Sequence, residues 1–279
     1  MRVARLRNGD DWRRFRCELL TSATSPAWLE APVWIRDRID SRFLDPVALI
    51  LKADARAGEG FTIVAIDCIL MEFLEALHQG KTYRYRERDE QRSPHEYGSS
   101  RALFKSFLTT RARFQGTFEP ELRDSFYSDV RCGLLHEAAT KSNWLVKFDS
   151  SSPVIAFIDA STRDRVINRD ALHKALRDTV DDYCKALPTD QRLQEAFLRV
   201  MDHTCGLRRA YLFIEGPSEA AVGRTTIHWQ RPASVGERQG VVVEVDDLEA
   251  WSGAPLVEVT TVLGDGARTF GAKHLKPPS

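Results

Sequence analysis

The sequence predicts a mainly α-helical protein that carries a small β-rich module toward its C-terminal end. Three observations predict it. Apolar residues recur at helical spacing through much of residues 45–205. After residue 216 the composition shifts to Gly, Pro and short β-branched runs. With 279 residues, the chain can bury one large core or two modest ones.

Composition narrows the function classes. Forty basic and forty acidic residues leave no formal net charge, so no whole-molecule field draws the chain to nucleic acid or membrane. Any nucleic-acid contact must come from a local patch. Cys17, Cys68, Cys132, Cys184 and Cys205 are scattered, odd in number and never in a C-x-x-C pair. That pattern argues against a zinc site or a disulfide framework and for a reducing compartment. The chain starts with Met1 to Arg7 and runs straight into the polar stretch Asp10 to Arg14, with no apolar core of signal-peptide length. No run of eighteen apolar residues occurs. The expectation is a soluble, cytoplasmic protein without membrane contact, metal or cofactor.

Residues 1–44 are rich in Arg and Trp, with Trp12, Trp28 and Trp34 set among polar residues and broken by Pro26 and Pro32. Six arginines in the first sixteen residues could face phosphate. The simpler reading is an N-terminal arm, irregular or a short helix, packed by its tryptophans on the main domain. Residues 45–215 then form the helical domain. Within it, residues 61–78 place Ile63, Ile66, Leu70, Phe73, Leu74 and Leu77 on one stripe with Glu72 and Glu75 opposite, and Gly80 is a natural stop. Asp67 lies at the border of that stripe, where it could partner a cation on a neighbouring helix.

Residues 81–98 interleave aromatic and charged residues. Basic residues near aromatics can hold single-stranded nucleic acid by charge and stacking, but Glu87, Asp89 and Glu90 dilute the potential and a solvated connector is the default. A helix is expected from Ser99, a good N-cap, to about 114–116, and another after Pro120. Residues 144–148 and 154–158 read as the two strands of a β-hairpin. Helix returns after Asn168, breaks at Pro188 and resumes to about Gly206. His173 and Asp178 read as helix surface.

Residues 216–239 hold Pro217, Gly223, Pro232 and Gly236 and read as a linker. Residues 240–279, with 225 as the alternative start, form a small β-rich, SH3-like module. Leu263-Gly-Asp-Gly266 supplies the turn between its last two strands.

The stretch with chemical content is residues 126–140, FYSDVRCGLLHEAAT. Phe126, Val130, Leu134 and Ala138 repeat every fourth residue, as on a helix with one buried face. Arg131 and His136 project about 140° apart on that helix, at about 100° per residue. They share a groove only if the helix bends near Gly133 or if a second chain completes the site.

An Arg, four to six residues and a His, with small or apolar residues between them on a helix, resembles the HEPN superfamily. The flanks Phe126 to Arg131 and Leu134 to Glu137, and the segments on either side, extend the resemblance over roughly residues 45–205. It implies a helical bundle whose Arg…His helix lines a cleft between two antiparallel protomers and, in many members, cuts RNA without a metal. Arg131 would then clamp the scissile phosphate and His136 act as general acid or base, with Asp67, Tyr127, Asp129 and Cys132 as supporting residues. The products would be a 2′,3′-cyclic phosphate and a 5′-hydroxyl. The implied setting is a toxin–antitoxin or phage-defence system, with a homodimer formed through residues 126–140, RNA as substrate and an antitoxin or other protein as partner. Active members usually carry Asn or Asp directly after the Arg, where this chain has Cys132. The alternative is a non-catalytic HEPN-like module for dimerisation or for RNA or nucleotide binding.

Overall fold

A computed structural model describes residues 7–53, 58–85, 95–148, 153–159 and 164–205, and the backbone of five strands beyond them. The described part is mainly helical, and helix begins well before residue 45. In α1 (Gly9–Leu19), Asn8 accepts from the N–H groups of Asp10 and Asp11 while the Asp11 side chain accepts from the Asn8 N–H. This reciprocal cap satisfies backbone donors that lack partners within the helix. A short 3₁₀ turn (Pro26–Leu29) leads to α2 (Ala31–Ile39), which passes through a π-helical turn (Asp40–Leu44) into α3 (Asp45–Lys52). Trp12, Trp28 and Trp34 are all buried in one core with Phe197, the Trp12 and Phe197 rings standing edge to face at 5.6 Å. Their apolar area is what attaches these first helices. Four of the early arginines lie among the described residues and have acidic partners: Arg7 pairs with Asp37, Arg13 with Asp10, Arg14 with Asp11 and buried Arg16 with Asp202.

At the centre lies α4 (Glu59–Gln79), packed against α3 and four later helices. It stops where expected, at Gly80, whose φ of 63° lies in the left-handed region. One expectation for this helix needs correction. Glu75 does not face solvent: it is buried, and Arg111, Ser106 and Gln79 surround its carboxylate. A charged residue at a stripe border goes inside when a neighbouring helix supplies a cation and donors.

Two residue pairs, β1 (Thr82–Tyr83) and β2 (Glu96–Tyr97), then align in parallel. Helix α5 (Ser100–Thr110) follows, then α6 (Pro120–Ser125), a π-helical segment (Phe126–Arg131) and α7 (Cys132–Glu137). Ser99 precedes α5 in extended backbone but makes no side-chain cap bond.

The expected hairpin is also corrected. Strands β3 (Trp144–Lys147) and β4 (Ile155–Asp159) do not pair with each other; β5 (Asp164–Asn168) lies between them, parallel to β3 and antiparallel to β4. Val166 and Ile167 of β5 are buried. Its brevity and its direct run into α8 (Arg169–Ala186) hid it in the sequence. Asn168, just before α8, spends its side-chain amide on the Pro153 carbonyl rather than on a cap. Helix α8 carries a second correction: His173 is buried, not on the surface. After α9 (Gln191–Thr204), an antiparallel sheet contains β6 (Ala210–Glu215), β7 (Ile227–Val235), β8 (Arg238–Val245), β9 (Val259–Leu263) and β10 (Gly266–Phe270), in the order β10-β9-β6-β8-β7. Pro232 of the expected linker therefore sits in an edge strand, where a missing N–H is tolerated. Among the described residues, no helix is long and apolar enough to cross a membrane.

Candidate functional site

Helix geometry sets the site. Where α6 continues into residues 126–131 the hydrogen bonding widens from the α to the π pattern, which inserts a bulge of a kind that often occurs at functional sites. Asp129 braces the bulge, accepting from Ser125 at 2.9 Å and Ser128 at 2.8 Å. Phe126, Val130 and Leu134 point into the core as expected. Ala138 does not: the helix ends at Glu137, and Ala138 is exposed with φ 54°. Ser142 and Asn143 also have positive φ, so the chain turns tightly away from α7. Gly133 permits this turn. A Cβ there would stand 2.4 Å from the Ala139 carbonyl oxygen.

Arg131, the last residue of the bulge, is the centre of the arrangement. Its Nη2 donates to Glu72 Oε2 of α4 at 2.9 Å, and its guanidinium lies 5.6 Å from the Tyr127 ring centroid. The other carboxylate oxygen of Glu72 accepts from the Tyr97 hydroxyl at 3.3 Å. Tyr127 in turn shares a hydrogen bond of 3.0 Å with Ser100, and Arg101 approaches its ring to 5.4 Å. Burial works against the charge of Arg131, but Glu72 and Tyr127 outweigh it and hold the guanidinium above its ordinary pKa. Burial, then the Glu72 charge, pushes the Tyr97 hydroxyl up, so it stays protonated and donates.

Glu72, Tyr97, Tyr127 and Arg131 line an open cleft of about 560 Å³, completed by Tyr83 and by residues 98–100 at the start of α5. Glu72 occupies one of the five N–H donors of the guanidinium, so Arg131 is fixed in place and keeps donors for an anion. A second open cleft, about 520 Å³ beside Phe61 and Phe148, has its Arg169 already paired with Glu59 at 2.7 Å.

The other expected site residues divide. His136 is exposed near the end of α7 and does not line the Arg131 cleft. Tyr127 lines it, Asp129 supports the bulge, and Cys132 is half-buried. Asp67 lies elsewhere, fully buried, with Oδ1 2.8 Å from Nδ1 of His173 on the neighbouring helix α8. Burial raises the Asp67 pKa and His173 opposes the rise. Sequence reasoning missed Glu72 as the partner of Arg131, since nothing local marks a contact between residues so far apart. It did mark the interleaved aromatics that include Tyr83 and Tyr97. Among the described residues, no cluster of His, Cys, Asp or Glu is placed to hold a metal ion. No family model, curated protein or solved structure matches the chain.

Proposed function

We propose that this chain is a HEPN-like protein that binds RNA by seating a backbone phosphate on Arg131. One observation carries the reading: Arg131 is braced by Glu72 and Tyr127 on the wall of an open cleft, with donors left for an anion. In finer terms the architecture is a HEPN-like bundle followed by an SH3-like C-terminal module. Residues 126–140 form the interface of a homodimer, and an antitoxin or other protein is the regulatory partner.

A second reading is a metal-independent endoribonuclease of a defence or toxin type. The exposure of His136 favours it, because a second copy related by a two-fold axis can bring that imidazole to the Arg131 cleft. The RNA 2′-hydroxyl then attacks phosphorus as its proton passes to a base, and the P–O5′ bond breaks as the leaving oxygen takes up a proton. His136 serves as the acid or base, and Arg131 stabilises the added phosphate charge.

Incubation of the purified protein with total RNA in EDTA, beside Arg131→Ala and His136→Ala, separates the two. Cleavage lost in both variants, with cyclic phosphate ends and a dimeric mass by light scattering, selects the ribonuclease. Binding without cleavage, lost only in Arg131→Ala, selects the binding module. Absence of binding removes both.

A further inference from the structure

Tyr83 and Tyr97 are cross-strand partners in the β1–β2 pairing, which the backbone fixes on both sides: the Thr82 N–H donates to His95 and the Arg84 N–H to Tyr97, each at 2.9 Å. Their rings stand edge to face, with centroids 5.5 Å apart and planes at 71°. Packing alone does not account for the pair, since Tyr83 is 54 % exposed although it lines the cleft. An edge-to-face pair also leaves ring surface free for a third planar group. Tyr97 is tied to the Arg131 seat through one carboxylate: its hydroxyl binds Oε1 of Glu72, and Arg131 binds Oε2.

We propose that Tyr83 and Tyr97 form a stacking platform for an unpaired base next to the phosphate held by Arg131, so that the cleft takes single-stranded and not duplex RNA. This rests on the RNA-binding reading above and names the class of RNA it accepts. The physical reason is access. In a duplex each base is stacked on its neighbours and has no open face to offer, whereas a single strand can splay a base onto an aromatic ring while the adjacent phosphate meets a cation. Tyr83 is the exposed ring that meets the base. Tyr97 is the positioning residue that fixes the platform relative to Arg131.

The test is fluorescence anisotropy of the full chain with a labelled 2′-O-methyl oligoadenylate, which cannot be cut through its 2′-oxygen, and with the same strand annealed to its complement. The single strand should bind more tightly than the duplex. Tyr83→Ala should weaken single-strand binding by about 5- to 150-fold, the size of one lost base–aromatic stack, and Tyr83→Phe should restore it. Tyr85→Ala, a neighbouring exposed tyrosine outside the cleft lining, should leave binding unchanged. A melting curve of Tyr83→Ala checks that the fold is intact. Loss of binding in Arg131→Ala with none in Tyr83→Ala, or equal affinity for the duplex, overturns the platform and leaves the RNA-binding reading standing. Failure of the wild-type protein to bind either strand overturns both.

Discussion

Arg131 and Glu72 lie 59 residues apart in the chain and meet as a largely buried ion pair at 2.9 Å between the π-helical bulge and α4. The pair joins the cleft to the central helix, so removing one member strands the other. Glu72→Ala should cost about 1–3 kcal/mol, the penalty for leaving a buried polar group without its partner, with Glu72→Gln less affected. Urea unfolding measures it. An unchanged midpoint would mean that water replaces the carboxylate.

The same site gives a prediction in rate. If the protein cuts RNA, Arg131→Ala and His136→Ala should each lose about 10²–10⁴ in rate. His136→Ala should not shift the melting temperature, because the side chain is exposed. A joint loss of activity and folding would assign the histidine a structural role.

Asp67 and His173 bridge α4 and α8 inside the core, and Asp67 Oδ2 has no hydrogen-bond partner among the described residues. Asp67→Ala and His173→Ala should each cost about 1–3 kcal/mol, because each leaves a buried polar partner unsatisfied. The double variant should cost less than their sum. A double-mutant cycle in denaturant reads the coupling, and strict additivity would refute the pair.

His78 packs edge to face on Tyr183, with ring centroids 4.8 Å apart. Burial, with the nearby Arg111 charge, lowers its pKa from 6.5 to about 3. Between those values the unfolded chain holds the proton and the folded chain does not, so stability rises with pH. The contribution is complete above 6.5 and is lost as pH falls, at up to about 1.4 kcal/mol per pH unit. Unfolding midpoints measured from about pH 7 down to about pH 5 should fall less steeply in His78→Phe than in wild type. Parallel slopes would show that His78 is not kept neutral.

Asp202 Oδ1 accepts from both Trp12 Nε1 and Arg16 Nε, each at 2.8 Å, and so pins α1 to α9. Asp202→Ala should cost about 1–3 kcal/mol by removing the acceptor shared by buried Trp12 and Arg16. Thermal melting reads this directly, and a variant as stable as wild type would show that α1 is held by its apolar residues Trp12, Phe15 and Leu19 alone.

What the sequence determined by itself was local. Helical periodicity gave α4, α8 and α9, Gly80 and Pro120 punctuated their helices, and the fourfold spacing of Phe126, Val130 and Leu134 marked the buried face of the candidate site, because these signals depend on residues a few positions apart. Arg131 was legible as the cation worth attention for the same reason. Tertiary structure alone decided what Arg131 meets. The Glu72 carboxylate and the burial of Glu75 and His173 depend on partners far away in sequence, and the insertion of β5 between β3 and β4 depends on a pairing with β3 that skips over β4. A buried charge is stable only where another element supplies its counterion and donors, and no local spacing records which element that is.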